Sequence, residues 1–163
     1  MAVARQMRSV LLVLTALVLA APAAAAWKPL STVAVVNTMH PGVLRTASGV
    51  EVVGYSDTKS TLKVWSSATG DHTVASGLLS VGRPNLVQLP SGAVELYAPA
   101  TTPGFALQGV LRWESTNDFP ASWTGPVATK SPNLGDVNGA AVRPDGTPMF
   151  SQDSTFGIDI YQG

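Results

Sequence analysis

Cysteine is absent from the sequence, and histidine occurs only twice in 163 residues. A chain without cysteine forms no disulfide bond, no zinc–thiolate site, no thiol-based active site and no lipid-modified cysteine anchor. The two histidines, His40 and His72, are too far apart in the sequence to have the spacing of metal ligands. The sequence also has no phosphate-cradling loop or dinucleotide-binding fingerprint. We therefore predict no metal centre and no cofactor, and the folded chain must be stabilised by packing alone.

Charged residues are also scarce, at 12% of the chain, and the ten basic groups balance the ten acidic ones. The lysines and arginines are scattered along the chain and do not form a basic stripe that could neutralise several phosphates. Binding to nucleic acid is therefore not expected. Glycine and proline are plentiful, with 15 and 12 residues, which is typical of many short strands joined by tight turns.

The amino-terminal 26 residues have the pattern of a secretory signal peptide. Arg5 and Arg8 precede an apolar run over residues 10–21, and alanines at 24–26 form a small-residue cleavage site before Trp27. The alternative is an uncleaved membrane anchor, but the apolar run is shorter than the roughly 20 residues that cross a bilayer. No membrane span is expected after cleavage. The sequence predicts a secreted or periplasmic protein whose exported module is residues 27–163.

Three aromatic residues, Trp65, Trp113 and Tyr161, are spaced 48 positions apart. Each closes a short run of alternating side chains that is typical of a β-strand. A repeat of this length that returns to a strand pattern indicates a chain built from copies of one small β-sheet, as in the blades of a β-propeller.

Each copy also contains a hairpin signal before its aromatic residue. The turns are predicted at Ser48-Gly49, Ser91-Gly92 and Asp145-Gly146. Glycine at these positions supplies the positive φ that a hairpin turn requires.

The strand count predicts an all-β fold of three four-stranded antiparallel blades, at about 43–79, 85–129 and 139–163. The third copy lacks its last strand, and the β-rich segment 32–36 is predicted to supply it and so close the last blade. Three blades are fewer than the roughly four to eight of a closed ring. We therefore expect a homo-oligomer that completes the propeller, unless the chain is part of a longer propeller.

The middle copy resembles repeats of tectonin-type and fucose-binding β-propeller lectins. Their pattern is a turn glycine, an acid, an aromatic residue, a strand with Trp and a closing Trp-x-Gly, matched here by Gly92, Glu95, Tyr97, Trp113 and Trp123. The resemblance implies carbohydrate binding at weak sites repeated once per blade.

The other two copies match this pattern in part. The first lacks the closing Trp and the third lacks the acid, and their matching positions are Gly49, Glu51, Tyr55 and Trp65, and Gly146, Phe150, Tyr161 and Gln162. These departures make the implied site less complete in the outer copies.

A second resemblance is to the Asp-box turn of sialidase-type propellers, carried by Thr116, Asp118, Ser122 and Trp123. Pro120 stands where that turn has a glycine. The box is structural in that family, with the Asp accepting backbone hydrogen bonds and the Trp packing between strands, so it does not establish hydrolysis.

Six residues are the candidate ligand-binding set. Aromatic faces stack on sugar C–H surfaces, while carboxylates and guanidinium groups bind hydroxyls. The alternative is that the aromatic residues pack between adjacent blades and the acids lie on solvated strand faces. The set is Trp65, Trp113, Tyr161, Glu51, Glu95 and Arg112.

An enzyme is the less favoured alternative. A glycosidase needs two carboxylates about 5–10 Å apart, or in the sialidase manner a tyrosine, an acid and an arginine cluster. No Tyr–Glu pair stands out beside Arg45, Arg83 or Arg143, so no catalytic residue is predicted. Residues 134–139 are similar to the opening of calcium-binding loops, but they offer too few oxygen ligands and are interpreted as a turn. A carbohydrate-binding module is favoured, with a shortened sialidase-type hydrolase or a ligand-free interaction scaffold as alternatives.

Overall fold

The fold is all-β, in agreement with the sequence. A computed structural model describes residues 41–58, 60–115 and 122–163, and about 60% of these residues lie in strands. The described part of the chain holds no helix with the length and hydropathy of a membrane span. The predicted signal peptide 1–26, the predicted closing strand 32–36 and the Asp-box residues Thr116 and Asp118 lie outside the described residues.

The strands form three antiparallel sheets that follow one another along the chain. The first contains β1 (Gly42–Arg45), β2 (Glu51–Thr58), β3 (Thr61–Ser66) and β4 (Gly70–Ala75). The second contains β5 (Ser80–Val81), β6 (Asn85–Gln88), β7 (Val94–Thr101), β8 (Gln108–Ser115) and β9 (Thr124–Ala128). The third contains β10 (Val137–Val142), β11 (Pro148–Ser154) and β12 (Gly157–Gln162).

Two details of the strand pattern differ from the prediction. The first blade is predicted to end at about residue 79, but its last strand is β4, which ends at Ala75 before Gly77 at a φ of 70°. The second sheet also has the short strand β5, which pairs with the same edge of β7 as β6 does. Pro84 lies between β5 and β6 and has no backbone N–H to donate to the ladder.

The three predicted hairpin turns are present and share one hydrogen-bond pattern. In the first, the N–H of Thr46 donates to the carbonyl of Val50 at 2.9 Å, and the N–H of Gly49 donates back to the carbonyl of Thr46 at 2.9 Å. The turns at Gly92 and Gly146 repeat both bonds at 2.8–2.9 Å. The three glycines have φ values of 88°, 89° and 86°, a left-handed conformation that explains the choice of glycine.

The identical turns place one row of three paired side chains at the same register in each sheet. Each row crosses three neighbouring strands and ends at one of the aromatic residues that are 48 positions apart in the sequence. The first row is Val43, Val53 and Trp65; the second row is Leu86, Leu96 and Trp113; the third row is Ala140, Phe150 and Tyr161.

The second sheet is covered on both faces, and every residue of β7 is buried. Side chains on one face, including Val94 and Leu96, form a core with Val52 and Val64 of the first sheet. Side chains on the other face, including Tyr97, form a second core with the third sheet. Because strand side chains alternate between faces, a sheet between two others is apolar on both sides.

Strand β6 of the second sheet lies beside β1 of the first sheet and β10 of the third, since it contacts both. At the β1 contact, a side chain at Gly42 would meet the carbonyl oxygen of Pro84 at 2.6 Å, so the close approach requires glycine. At the β10 contact, the Asn85 amide donates to the carbonyl of Val137 at 2.6 Å. The sheets therefore converge along one edge.

Candidate functional site

A cleft of about 220 Å³ lies between the second and third sheets. Its walls come from β7, β8, β9 and the residues after β9 on one side, and from β11, β12 and Gly163 on the other. The lining residues are Tyr97, Arg112, Val127, Ala128, Thr129, Lys130, Phe150, Tyr161, Gln162 and Gly163.

Strand alternation directs the polar groups of the second sheet into this interface. Glu95 and Tyr97 are two residues apart on β7 and share the face opposite to Val94 and Leu96. Arg112 is the direct cross-strand partner of Tyr97. Three functional groups from two neighbouring strands are thereby brought to one side of the sheet.

A buried carboxylate holds this group together. The Tyr97 hydroxyl donates to Glu95 Oε2, and Arg112 Nη1 donates to Glu95 Oε1 at 2.9 Å. The Glu95 side chain is nearly fully buried, whereas the Arg112 side chain is 35% exposed. A buried charge is tolerated only when it is paired and hydrogen-bonded, and here both carboxylate oxygens have partners.

The Tyr97 phenol is held in its neutral form. Burial raises the pKa of Tyr97 far above its ordinary value, and its hydrogen bond to the Glu95 carboxylate adds to the increase. The hydroxyl therefore acts as a hydrogen-bond donor that fixes Glu95.

An aromatic stack joins the two walls of the cleft. The ring centroids of Tyr97 and Phe150 are 5.0 Å apart with planes at 32°, and those of Phe150 and Tyr161 are 5.1 Å apart and stacked at 17°. Phe150 is buried, while Tyr161 is half-buried at the cleft. The stack leads from the core to a partly exposed phenol ring.

Three of the six predicted ligand-binding residues meet at this cleft: Tyr161 and Arg112 line it, and Glu95 holds Arg112 from behind. Tyr97, Phe150 and Gln162 belong to the predicted repeat pattern but not to the predicted site, and Lys130 belongs to neither. The alternation on β7 and the cross-strand pairing of Tyr97 with Arg112 were the signals that could have located the cluster.

Trp113 requires a correction. It is 1% exposed and packs in the core between the first and second sheets, so its ring offers no face to a ligand. The burial of Glu95 similarly makes it a support for Arg112 and Tyr97 instead of a direct contact to a ligand. The reason in both cases is that the second sheet has a neighbour on each face.

Trp65 and Glu51 lie away from the cleft. Trp65 is half-buried on the outer face of the first sheet, directly opposite Val53 and Asp71 in the strand register. Glu51 begins β2 opposite Arg45, and strand alternation places it on the same face as Trp65. These two residues form a separate surface.

The remaining predicted turns have structural contacts. Ser122 is exposed, and Trp123 is half-buried against the core between the first and second sheets. In the segment 134–139, Asp136 accepts the backbone N–H of Arg83 at 3.3 Å, and Asn138 donates to Asp153 at 2.6 Å. The described residues contain no group of three His, Cys, Asp or Glu side chains that could hold a metal ion.

Comparison with known proteins locates a fold relative. No protein-family model matches the sequence, and a search of curated proteins finds no match. A solved structure described as a candidate exo-beta-1,3-galactanase from Bifidobacterium bifidum s17 superposes with a TM-score of 0.51 at 14% identity. The superposition covers 76% of this chain and 48% of that chain, so this chain spans about half of that protein. At this identity the likeness concerns the fold.

Proposed function

We propose that this protein is a carbohydrate-binding β-propeller module and that it binds a sugar in the cleft between the second and third sheets. The supporting observation is the combination of a partly exposed phenol ring, Tyr161, with a guanidinium group, Arg112, held in place by a buried carboxylate. Sugars present both a C–H surface for an aromatic ring and hydroxyls for charged donors.

The dimensions of the cleft favour a single sugar ring. Its volume of about 220 Å³ is below the roughly 300–1,000 Å³ of pockets for larger ligands. Arg112 is fixed on its inner side by Glu95, and its exposed part is available to sugar hydroxyls. Lys130, an exposed lining residue, adds a second donor.

The architecture and the fold relative are compatible with this function. The convergence of β1, β6 and β10 along one edge, with sheets packed face to face, supports the arrangement of propeller blades. The relative's description names a galactanase, which supports a carbohydrate ligand for this chain. Export from the cell is part of the proposal, and it is supported by the amino-terminal sequence pattern.

The central test is sugar binding by a Tyr161→Ala variant. We expect monosaccharides such as galactose or fucose to bind the wild-type protein with millimolar dissociation constants, measured by saturation-transfer NMR. The variant should bind roughly five- to tenfold more weakly, because an aromatic contact contributes about 1–1.5 kcal/mol.

Trp65→Ala is the matched control for this experiment. Trp65 has the equivalent place in the sequence repeat but lies on the outer face of the first sheet, so its replacement should leave sugar binding unchanged. Loss of binding in Trp65→Ala and retention in Tyr161→Ala would contradict the assignment to the cleft.

A hydrolase is the second candidate, and one observation favours it. The pair of Tyr97 and Glu95 beside Arg112 contains the residue types of a sialidase-type centre, a tyrosine, an acid and an arginine. Against this function, the raised pKa of Tyr97 keeps the phenol protonated, whereas a tyrosine nucleophile must lose its proton during attack.

Turnover of chromogenic galactosides and sialosides separates the two functions. The binding function predicts no turnover by the wild-type protein. Turnover that disappears in Tyr97→Phe, a variant that keeps the buried ring, would establish the hydrolase instead.

A further inference from the structure

The outer face of the third sheet carries a patch of apolar side chains that the described residues do not cover. Ile158 and Ile160 on β12 are 65% and 68% exposed. Beside them, a shallow depression of about 300 Å³ includes Ala141 and Met149. Contiguous exposed apolar surface of this kind marks an interaction site.

The equivalent positions of the other two sheets are covered by a following sheet. Ile160 comes directly before Tyr161, the aromatic residue of the third row. The equivalent residues are Val64, directly before Trp65 in the first sheet, and Arg112, directly before Trp113 in the second. Val64 is fully buried against the second sheet, and Arg112 faces the third. The outer face of the third sheet is therefore the half of an inter-sheet interface that receives another sheet.

The outer face of the first sheet is the other half of the same kind of interface. It carries the first row. The second row packs against the first sheet, and the third row packs against the second sheet. Val43 is 72% exposed, whereas Leu86, its counterpart in the second row, is 5% exposed. Trp65 occupies on this face the place that Trp113 occupies within the core.

Two pairs of polar side chains beside the first row are formed within the sheet. Lys63 Nζ lies 2.8 Å from Asp57 Oδ2, and the Tyr55 hydroxyl donates to Asp71 Oδ1 at 2.7 Å. Covering this face with another sheet would bury these four side chains as pairs, which costs less than burying them singly.

We infer that a second copy of this chain docks head to tail, its first-row face packing on the outer face of the third sheet around Ile160. The chain itself carries both halves of the interface, so another copy is the partner that fits both faces. Such a contact is heterologous and continues from copy to copy until the ring closes. Two copies would give six sheets, within the roughly four to eight of closed propellers.

An Ile160→Glu substitution tests the interface. We expect the purified wild-type protein to be a dimer or larger closed oligomer by light scattering coupled to size exclusion, and Ile160→Glu to be a folded monomer by scattering and circular dichroism. Phe105→Glu is the matched control, because Phe105 is 69% exposed but lies in the short turn at Pro103–Phe105, which joins β7 and β8 of the second sheet. It should remain oligomeric.

Mixing variants tests the head-to-tail geometry. Trp65→Glu alters the first-row face and should also give a monomer, whereas a mixture of Trp65→Glu and Ile160→Glu retains one intact pair of faces and should form heterodimers. A monomeric wild-type protein at its highest soluble concentration, or oligomers that persist in Ile160→Glu, would overturn the inference. Failure of the mixture to associate would overturn the head-to-tail geometry. Loss of association in Phe105→Glu would also overturn it, because Phe105 is not part of either face.

Discussion

Replacing Trp113 with alanine is expected to lower the free energy of unfolding by about 3–5 kcal/mol, the usual cost of removing a large buried aromatic side chain. The indole is 1% exposed and packs with residues of both the first and second sheets. Its removal leaves a cavity between two sheets that are each fixed by backbone hydrogen bonds, so the surroundings can relax only in part. Urea denaturation followed by intrinsic fluorescence or circular dichroism measures the change.

Trp65→Ala provides the comparison for the Trp113 prediction. Both tryptophans end a cross-strand row at the same register, but Trp65 lies half-buried on an outer face. Both substitutions are compared in the monomeric Ile160→Glu background. There we expect Trp65→Ala to lower the free energy of unfolding much less than Trp113→Ala does. Equal effects in the two positions would contradict the assignment of Trp113 to the core and of Trp65 to the surface.

Local structure could be predicted from the sequence because its causes are local. The hairpin turns follow from Gly49, Gly92 and Gly146, whose left-handed conformations are supplied by the residues themselves. The sequence pattern does not indicate that β5 and β6 are two separate strands on one edge of β7, because their separation depends on how Pro84 lies along that edge. The last strand of the first sheet ends before the predicted boundary because Gly77, at a φ of 70°, turns the chain after Ala75.

The environment of each aromatic residue could not be predicted in the same way. Trp65, Trp113 and Tyr161 have equivalent places in the strand pattern, yet they lie on an outer face, in a core and beside a cleft. Their exposure is decided by which sheets have neighbours, which is a property of the whole chain. Trp113 therefore packs between sheets, which is the alternative to ligand binding that the sequence left open. Tyr161 packs against Phe150 and also lines the cleft.

The cleft was partly predictable for a related reason. Glu95, Arg112 and Tyr161 were selected for their side-chain chemistry, but the pairing of Tyr97 with Glu95 depends on both faces of β7 being covered. On a strand with one solvated face, Glu95 would point to water and need no partner. Coverage of the second face by the third sheet makes the Tyr97–Glu95–Arg112 group possible.

The second large effect is expected for Arg112→Leu. This substitution removes the cation that pairs with a nearly fully buried carboxylate, and we expect the free energy of unfolding to fall by about 3 kcal/mol, the lower end for a broken buried ion pair. The lower end applies because Arg112 is 35% exposed, so water can reach the Glu95 carboxylate once the guanidinium is gone. Urea denaturation at neutral pH measures the loss.

The double variant Glu95→Gln with Arg112→Leu distinguishes an unpaired charge from lost packing. The amide introduced by Glu95→Gln can still accept the Tyr97 hydroxyl but carries no charge, so the double variant should be more stable than Arg112→Leu alone. This recovery is the coupling that a double-mutant cycle measures for residues in one network. If the double variant were as unstable as Arg112→Leu, the cost would come from the lost arginine stem, and Glu95 would not need its cation to remain buried.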